Sequence, residues 1–147
     1  MKIRVMSIDD YENACFLWAN SDGVVLNNLD DTLEGISTFL TRNPSTCFIA
    51  ESDDEIVGVI LCGHDGRRGH IYHLAVKHDY RQRGIGKLLV ERVLDALRKV
   101  GIKKVNLMVF HTNDLGNKFW ESMGFEKKID AICRSKEITL SRNNDVS

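Results

Sequence analysis

Apolar side chains along this chain recur at two spacings, every second residue in some segments and every third or fourth residue in others. The two-residue spacing predicts strands at residues 2–6, 46–51, 55–62, 70–77, 104–109 and 135–140. The helical spacing predicts helices at residues 11–18, from Asp30 or Asp31 as a cap to about residue 42, from about 85 to 100, and at 113–123. Pro44 ends the second helix, and Gly101 and Gly124 stand where helix ends are expected.

The order of these elements predicts the fold class. Residues 52–54 form a turn signal between two strands, and a glycine-containing loop, residues 63–69, leads to the next strand, so three consecutive strands form an antiparallel meander. The later strands alternate with helices. We therefore expect an α/β protein of the mixed α+β kind, with a central, mostly antiparallel sheet and helices on both faces.

Composition narrows the range of functions. The chain has 147 residues, so we expect one domain over 1–147, and its 20 basic and 21 acidic residues leave a net charge of -1. That balance disfavours a nucleic-acid partner. The four cysteines are too widely spaced for zinc or a disulfide framework, so we expect no metal. Residues 1–10 do not resemble a signal peptide and no apolar run could span a bilayer, so we expect a reduced, cytoplasmic protein without a membrane partner.

A glycine-rich turn carries the strongest chemical signal. Residues 81–86, Arg-Gln-Arg-Gly-Ile-Gly, lie between a predicted strand and the longest predicted helix. A helix start exposes unpaired N–H groups and the positive end of its dipole, and glycine lets a phosphate approach that backbone. The alternative is a turn that only starts the helix. The glycine spacings of dinucleotide-binding and P-loop motifs are both absent.

Two sequence blocks together resemble a known family. Leu74-Ala75-Val76, then Arg81-xx-Gly84-x-Gly86 and a leucine-rich helix, closely resemble the cofactor motif of the GNAT superfamily of N-acyltransferases. The second block, with residues 105–109, Asn113, Phe119, Trp120 and Gly124-Phe125, resembles that superfamily's next strand and helix. The resemblance covers about residues 55–125. It implies a GNAT-like fold and an N-acetyltransferase that takes an acetyl group from acetyl-CoA, its co-substrate, to a primary amine.

The resemblance also assigns roles to individual residues. It implies backbone contacts to the pantetheine arm from the strand and to the pyrophosphate from the turn, and a side-chain contact from Asn113. Asn113 could instead, or in addition, cap the following helix. The cofactor-binding residues expected on this basis are Leu74, Ala75, Val76, Arg81, Gln82, Arg83, Gly84, Ile85, Gly86, Lys87, Asn113 and Trp120.

The catalytic residues expected are His70 and Tyr72, which alternate with Leu74 on one face of a regular strand. In related enzymes a Glu or His at the position matching His70 is the base, although an ordinary strand histidine is the alternative. His73 would point the other way unless a β-bulge reversed it.

Trp120 is a departure from the family pattern, because many members carry there a tyrosine that protonates the departing thiolate. An indole N–H is no acid in water, so another group supplies the proton or none is needed. Trp120 could pack on the cofactor arm or fill the core. Arg67 and Arg68 lie in the predicted loop and either line the acceptor site or are simply solvated.

Two alternatives to an enzyme remain on sequence grounds. A non-catalytic acyl-CoA-binding module is suggested by Trp120 and by the absence of a glutamate at position 70, and a nucleic-acid-associated factor is a weaker alternative. The acceptor amine is undetermined, on a small molecule or a protein, and a homodimer is left open.

Overall fold

The computed structural model describes residues 1–139 as a twisted five-stranded sheet with helices on both faces. The strands are β1 (Lys2–Val5), β2 (Phe48–Ser52), β3 (Glu55–His64), β4 (Gly69–Val76) and β5 (Val105–Leu107). They lie side by side in chain order; β1 to β4 are antiparallel, and β5 runs parallel to β4. This confirms the predicted mixed, mostly antiparallel sheet.

Within residues 1–139, four α-helices pack on the sheet: α1 (Tyr11–Ala19), α2 (Leu33–Arg42), α3 (Ile85–Lys99) and α4 (Asp114–Ser122). One buried cluster joins α1 and α2 to one sheet face through Trp18, Ile36, Ile49 and Val59. The other joins α3 to the opposite face through residues such as Leu89 and Val93. Because both faces are covered, β3 is buried continuously from 57 to 63 instead of alternating with solvent.

A β-bulge interrupts β4 in its second half. Tyr72 pairs with Leu61 and Ala75 with Val59, so two residues of β4, His73 and Leu74, stand opposite a single residue of β3. His73 adopts the left-handed conformation, with φ of 46°. The bulge shifts the side-chain alternation by one position for the rest of the strand.

The bulge corrects our expectation for the faces of β4. His70 and Tyr72 do share a face, with ring centroids 4.5 Å apart, but Leu74 does not share it. Leu74 packs toward the α3 cluster, whereas His73 contacts Trp18 on the α1 side. The expected alternation assumed regular geometry, and the extra residue reverses it.

Two further expectations differ from the structure. The cap of α2 is Thr32, whose hydroxyl accepts from the Gly35 N–H at 3.0 Å, and neither Asp30 nor Asp31 takes that role. The predicted strand at 135–140 is wrong for residues 135–139, which are exposed and lack strand structure, while Leu140 lies outside the described residues. An extended segment with no neighbouring strand has no partner for its backbone groups and forms no ladder.

Candidate active site

A cleft opens where β4 and β5 separate. The two strands pair only over Gly69 to Ile71, opposite Val105 to Leu107, and β4 then continues to Val76 without a strand on that side among residues 1–139. The far half of β4 therefore presents an unpaired backbone edge to the cleft. The cavity measures about 620 Å³, which is within the range of small-molecule sites.

The N-terminus of α3 forms one end of this cleft. Gly84 precedes the helix with φ of 80°, a conformation that glycine adopts without strain, and Gln82 is also left-handed, with φ of 66°. The Leu88 N–H donates to the Gly84 carbonyl and makes the first helical hydrogen bond at this end of α3. The N–H groups before it in the helix have no intrahelical acceptor. A Cβ built on Gly84 meets nothing within 4 Å, so there is room for a ligand to approach.

Cationic side chains surround the same helix end. Arg81, Lys87 and Arg83 lie within three residues of Gly84, and the first turn of α3 carries no acidic residue. Arg81 donates to the Val76 carbonyl at 3.1 Å, which ties the turn to the end of β4, and Arg83 stacks on the Tyr80 ring at 4.8 Å. Arg81 and Lys87 line the cleft, whereas Arg83 does not. The dipole, the N–H groups and the charges together favour a bound anion.

The opposite wall comes from α4 and from residues 21–24, which follow α1. Asn113 caps α4, since its side-chain oxygen accepts from the Gly116 N–H at 2.9 Å. A Cβ on Gly23 would lie 2.7 Å from the Asn113 amide nitrogen, so residues 21–24 and the start of α4 lie against each other in this wall. The expected capping role is confirmed. Residues 21–24 have neither helical nor strand periodicity, so the sequence carries no signal for this wall.

We expect the capping and ligand-binding roles of Asn113 to be separable. Asn113→Ala loses the cap and should reduce the free energy of unfolding by about 1 kcal/mol, whereas Asn113→Asp keeps a capping oxygen and should match the parent in urea unfolding. Asp replaces the amide with a negative charge, so acetyl-CoA should raise its melting temperature less than it raises that of the parent. Full thermal stabilisation of Asn113→Asp by acetyl-CoA would mean that Asn113 serves only as a cap.

Trp120 lies in the wall and in the core at once. Its ring makes edge contacts with Phe119 at 4.9 Å and Phe125 at 5.0 Å, and it is partly buried against the α3 cluster while also lining the cleft. Trp120 therefore occupies both locations considered from the sequence, the cleft and the core.

The two expected catalytic residues are placed differently. Tyr72 lines the cleft, whereas His70 is not among the lining residues, although it lies on the same strand face. Burial lowers the pKa of His70, which keeps the imidazole neutral near pH 7. Burial first, and then the charge of Asp30, raises the pKa of Tyr72, so the phenol stays protonated and can donate.

His73 lines the cleft as well, and it is held more firmly than either neighbour. Its Nε2 lies 2.7 Å from the Asp31 Oδ1, and its carbonyl accepts from the Trp18 indole N–H, also at 2.7 Å. The Trp18 ring packs edge-on against the imidazole at 5.2 Å. The sequence gave no signal for the partner, because Asp31 is 42 positions away and lies in an irregular segment.

The other features singled out from the sequence lie elsewhere. Arg67 and Arg68 are exposed in the turn between β3 and β4, where both backbone N–H groups donate to Asp65, and neither lines the cleft. The described residues contain no cluster of three or more His, Cys, Asp or Glu arranged to hold a metal. No helix within residues 1–139 is both long and apolar enough to cross a membrane.

Comparisons with known proteins agree with this geometry. The family model described as "Acetyltransferase (GNAT) family" matches residues 6–125. The Sodalis glossinidius protein "Acetyltransferase SG1711" is 36% identical over 138 residues, which are 94% of this chain and 96% of that protein. The Ard1 structure from Thermoplasma volcanium superposes with a TM-score of 0.77 at 22% identity, covering 87% of this chain and 84% of that one. The PaiA N-acetyltransferase of Thermoplasma acidophilum, solved with coenzyme A, gives 0.76 at 22% identity, covering 86% and 90%.

Proposed function

This chain belongs to the acetyltransferase (GNAT) family, and on that premise we propose that it binds acetyl-CoA in the cleft between β4 and β5 and transfers the acetyl group to a primary amine. The observation that carries the proposal is the early end of the β4–β5 ladder at Ile71 and Leu107. It leaves a strand edge, a helix N-terminus and a cluster of cations facing one cavity.

Each part of the cleft suits one part of that co-substrate. The unpaired edge from Leu74 to Val76 offers backbone donors and acceptors to the amides of the pantetheine arm, much as another strand would. The turn from Gln82 to Lys87, with its free N–H groups and positive charge, suits the pyrophosphate. Coenzyme A is bound in the related structure from Thermoplasma acidophilum, which supports the same ligand here.

The chemistry required of the protein is modest. The acceptor must lose a proton before its nitrogen can attack, so the cleft needs a nearby proton acceptor. The family resemblance points to His70, and Tyr72 was expected from its place on the same strand face. Of these Tyr72 lines the cleft, and its phenol can orient the acceptor by donating a hydrogen bond. Developing charge on the carbonyl oxygen would be met by a backbone N–H near Leu74 to Val76.

A screen of primary amines tests the proposed transfer. Lysine, spermidine, glucosamine 6-phosphate and a peptide with a free N-terminus would each be mixed with acetyl-CoA, and free thiol would be followed over time. We expect amine-dependent thiol release and an acetylated amine of matching amount by mass spectrometry. Tight binding of acetyl-CoA without turnover for any amine would instead favour the non-catalytic acyl-CoA-binding module.

We expect Trp120→Phe to stay active. Phenylalanine keeps the edge contacts with Phe119 and Phe125 but removes the indole N–H, and a thiol with a pKa of about 8.5 is a tolerable leaving group without an acid. The kcat of thiol release should therefore remain within about tenfold of the parent, a barrier change of roughly 1.4 kcal/mol. A loss of more than about a hundredfold with unchanged acetyl-CoA affinity would show that the indole N–H takes part.

A further inference from the structure

The bulge in β4 places His73 beside Asp31, 42 positions away in the chain, as an imidazole–carboxylate pair. His73 and Asp31 are joined at 2.7 Å, and their side chains are only 18% and 8% exposed. His73 also holds a left-handed φ of 46°, which is uncommon for residues other than glycine, and such conformations persist when the surroundings hold them. A held backbone outlier next to a cleft indicates a functional constraint.

The hydrogen bonds around the pair fix which imidazole nitrogen is free. A carboxylate can only accept, so the Nε2 of His73 carries the hydrogen that faces Asp31. The other nitrogen, Nδ1, is then the acceptor, and it has no protein partner among residues 1–139. No buried side-chain nitrogen or oxygen in that range lacks a partner, so Nδ1 is reached by solvent. His73 is among the residues that line the cleft.

Three hydrogen bonds, two from Asn27 and one from Tyr11, hold Asp31 in place. Its Oδ2 accepts from the backbone N–H of Asn27 at 3.1 Å and from the Asn27 amide at 2.9 Å, and its carbonyl accepts from the Tyr11 hydroxyl at 2.8 Å. On the other side, Trp18 holds the His73 carbonyl. The pair is therefore fixed in orientation before any ligand binds, as a base oriented by a carboxylate requires.

We propose that His73, oriented by Asp31, accepts the proton from the acceptor ammonium; this inference rests on the proposed acetyl transfer. His73 is the catalytic residue, and Asp31 is a positioning residue that acts through it. The fold and the cofactor cleft stay as described above. Proton acceptance is assigned to His73 instead of His70, because His73 lines the cleft and His70 does not.

Proton transfer to His73 precedes formation of the C–N bond. The neutral Nδ1 of His73 takes one proton from R–NH3⁺ and becomes imidazolium, which leaves R–NH2. The amine lone pair forms the C–N bond to the thioester carbon, and the C=O electron pair moves to oxygen. When that pair returns, the C–S bond breaks and CoA leaves as thiolate, and the thiolate takes up the second proton that the nitrogen loses. The products are the amide and CoA thiol, and His73 returns its proton to solvent.

Several ionisable groups surround His73 and bear on any pH dependence. Those that pack near it on neighbouring elements and on its own strand are Tyr11 and Cys15 of α1, Asp30 and Asp31 before α2, and His70 and Tyr72 of β4. His70 among these groups and His73 itself are imidazoles. A histidine-dependent acid limb in the rate must therefore come from His73 or His70.

Substitution of each histidine by glutamine tests the assignment. The His73→Gln amide can still donate to Asp31 but cannot accept a proton, so kcat/KM for amine-dependent thiol release should fall by about a hundredfold to a thousandfold. The acid limb of its pH profile should disappear, and acetyl-CoA should still raise its melting temperature. His78→Gln changes an exposed histidine that is not among the residues lining the cleft, so it is the matched control and should behave as the parent.

The outcomes separate this proposal from the proposed function. If His70→Gln removes the acid limb and His73→Gln keeps it, His70 is the base and the proposal is wrong. If the parent itself releases no thiol with any amine and does not bind acetyl-CoA, the proposed function fails first. A second measurement needs no acceptor. Nitrogen-15 NMR of the imidazole rings should show His73 as the Nε2–H tautomer, with that preference lost in Asp31→Ala, and an Nδ1–H tautomer in the parent would overturn the proposal.

Discussion

Gly84→Asp should abolish the thermal stabilisation of this protein by acetyl-CoA. The site lies at the N-terminus of α3 with a left-handed φ of 80°, which Asp and Asn tolerate better than other residues with a side chain, and there is open space around it. The variant should therefore fold, and a carboxylate near a helix start is favourable for the helix itself. The same carboxylate would face the position proposed for the pyrophosphate.

The size of the effect follows from electrostatics. Two like unit charges about 5 Å apart at an effective dielectric constant of about 20 repel by roughly 3 kcal/mol, which weakens binding by more than about a hundredfold. Gly84→Asn has nearly the same shape and backbone tolerance without the charge, so it should keep a measurable part of the shift. The melting temperature would be recorded without acetyl-CoA and with acetyl-CoA at about ten times the parent's Kd, where a hundredfold weaker site gives almost no shift. Equal shifts for the Asp variant and the parent would refute the pyrophosphate site.

Trp18→Phe should be the most destabilising conservative change near the site. The Trp18 side chain is fully buried, and its indole N–H is the donor to the His73 carbonyl within the bulge. Phenylalanine leaves that carbonyl unsatisfied, at about 1–3 kcal/mol, and leaves unfilled space in the core. We expect the free energy of unfolding in urea to fall by about 2–4 kcal/mol in total.

The second tryptophan provides the control for that experiment. Trp120→Phe is the same substitution in a partly exposed residue of α4, and it should cost about 1 kcal/mol or less. If the two variants unfold at the same urea concentration, the Trp18 hydrogen bond does not hold the bulge. Some other interaction would then hold His73 in its left-handed conformation.

Local signals predicted most of the framework correctly. The turn residues and the apolar period placed β4 and α3 within one or two residues of the structure, because the amphipathic pattern and the Gly84 start act locally. Asn113 was predicted as a cap for the same reason, since the interaction spans only three residues.

Tertiary interactions account for the rest. The bulge at His73 has no local signal, because a left-handed histidine is unfavourable by itself and is held here by Trp18, 55 positions away. Asp30 or Asp31 was expected to cap α2, but the Asp31 carboxylate accepts from Asn27 and contacts His73, and Thr32 caps the helix. A local sequence pattern does not show that a residue distant in the chain binds the same carboxylate.

A crystal structure of the protein with coenzyme A would test the central claim most directly. We expect the pantetheine arm to lie along the β4 edge from Leu74 to Val76, and the pyrophosphate to receive hydrogen bonds from N–H groups of residues 82–87. We expect the thiol to end near the bulge at His73. Coenzyme A bound anywhere other than the opening between β4 and β5, or with its pyrophosphate away from the start of α3, would contradict the proposed cofactor site.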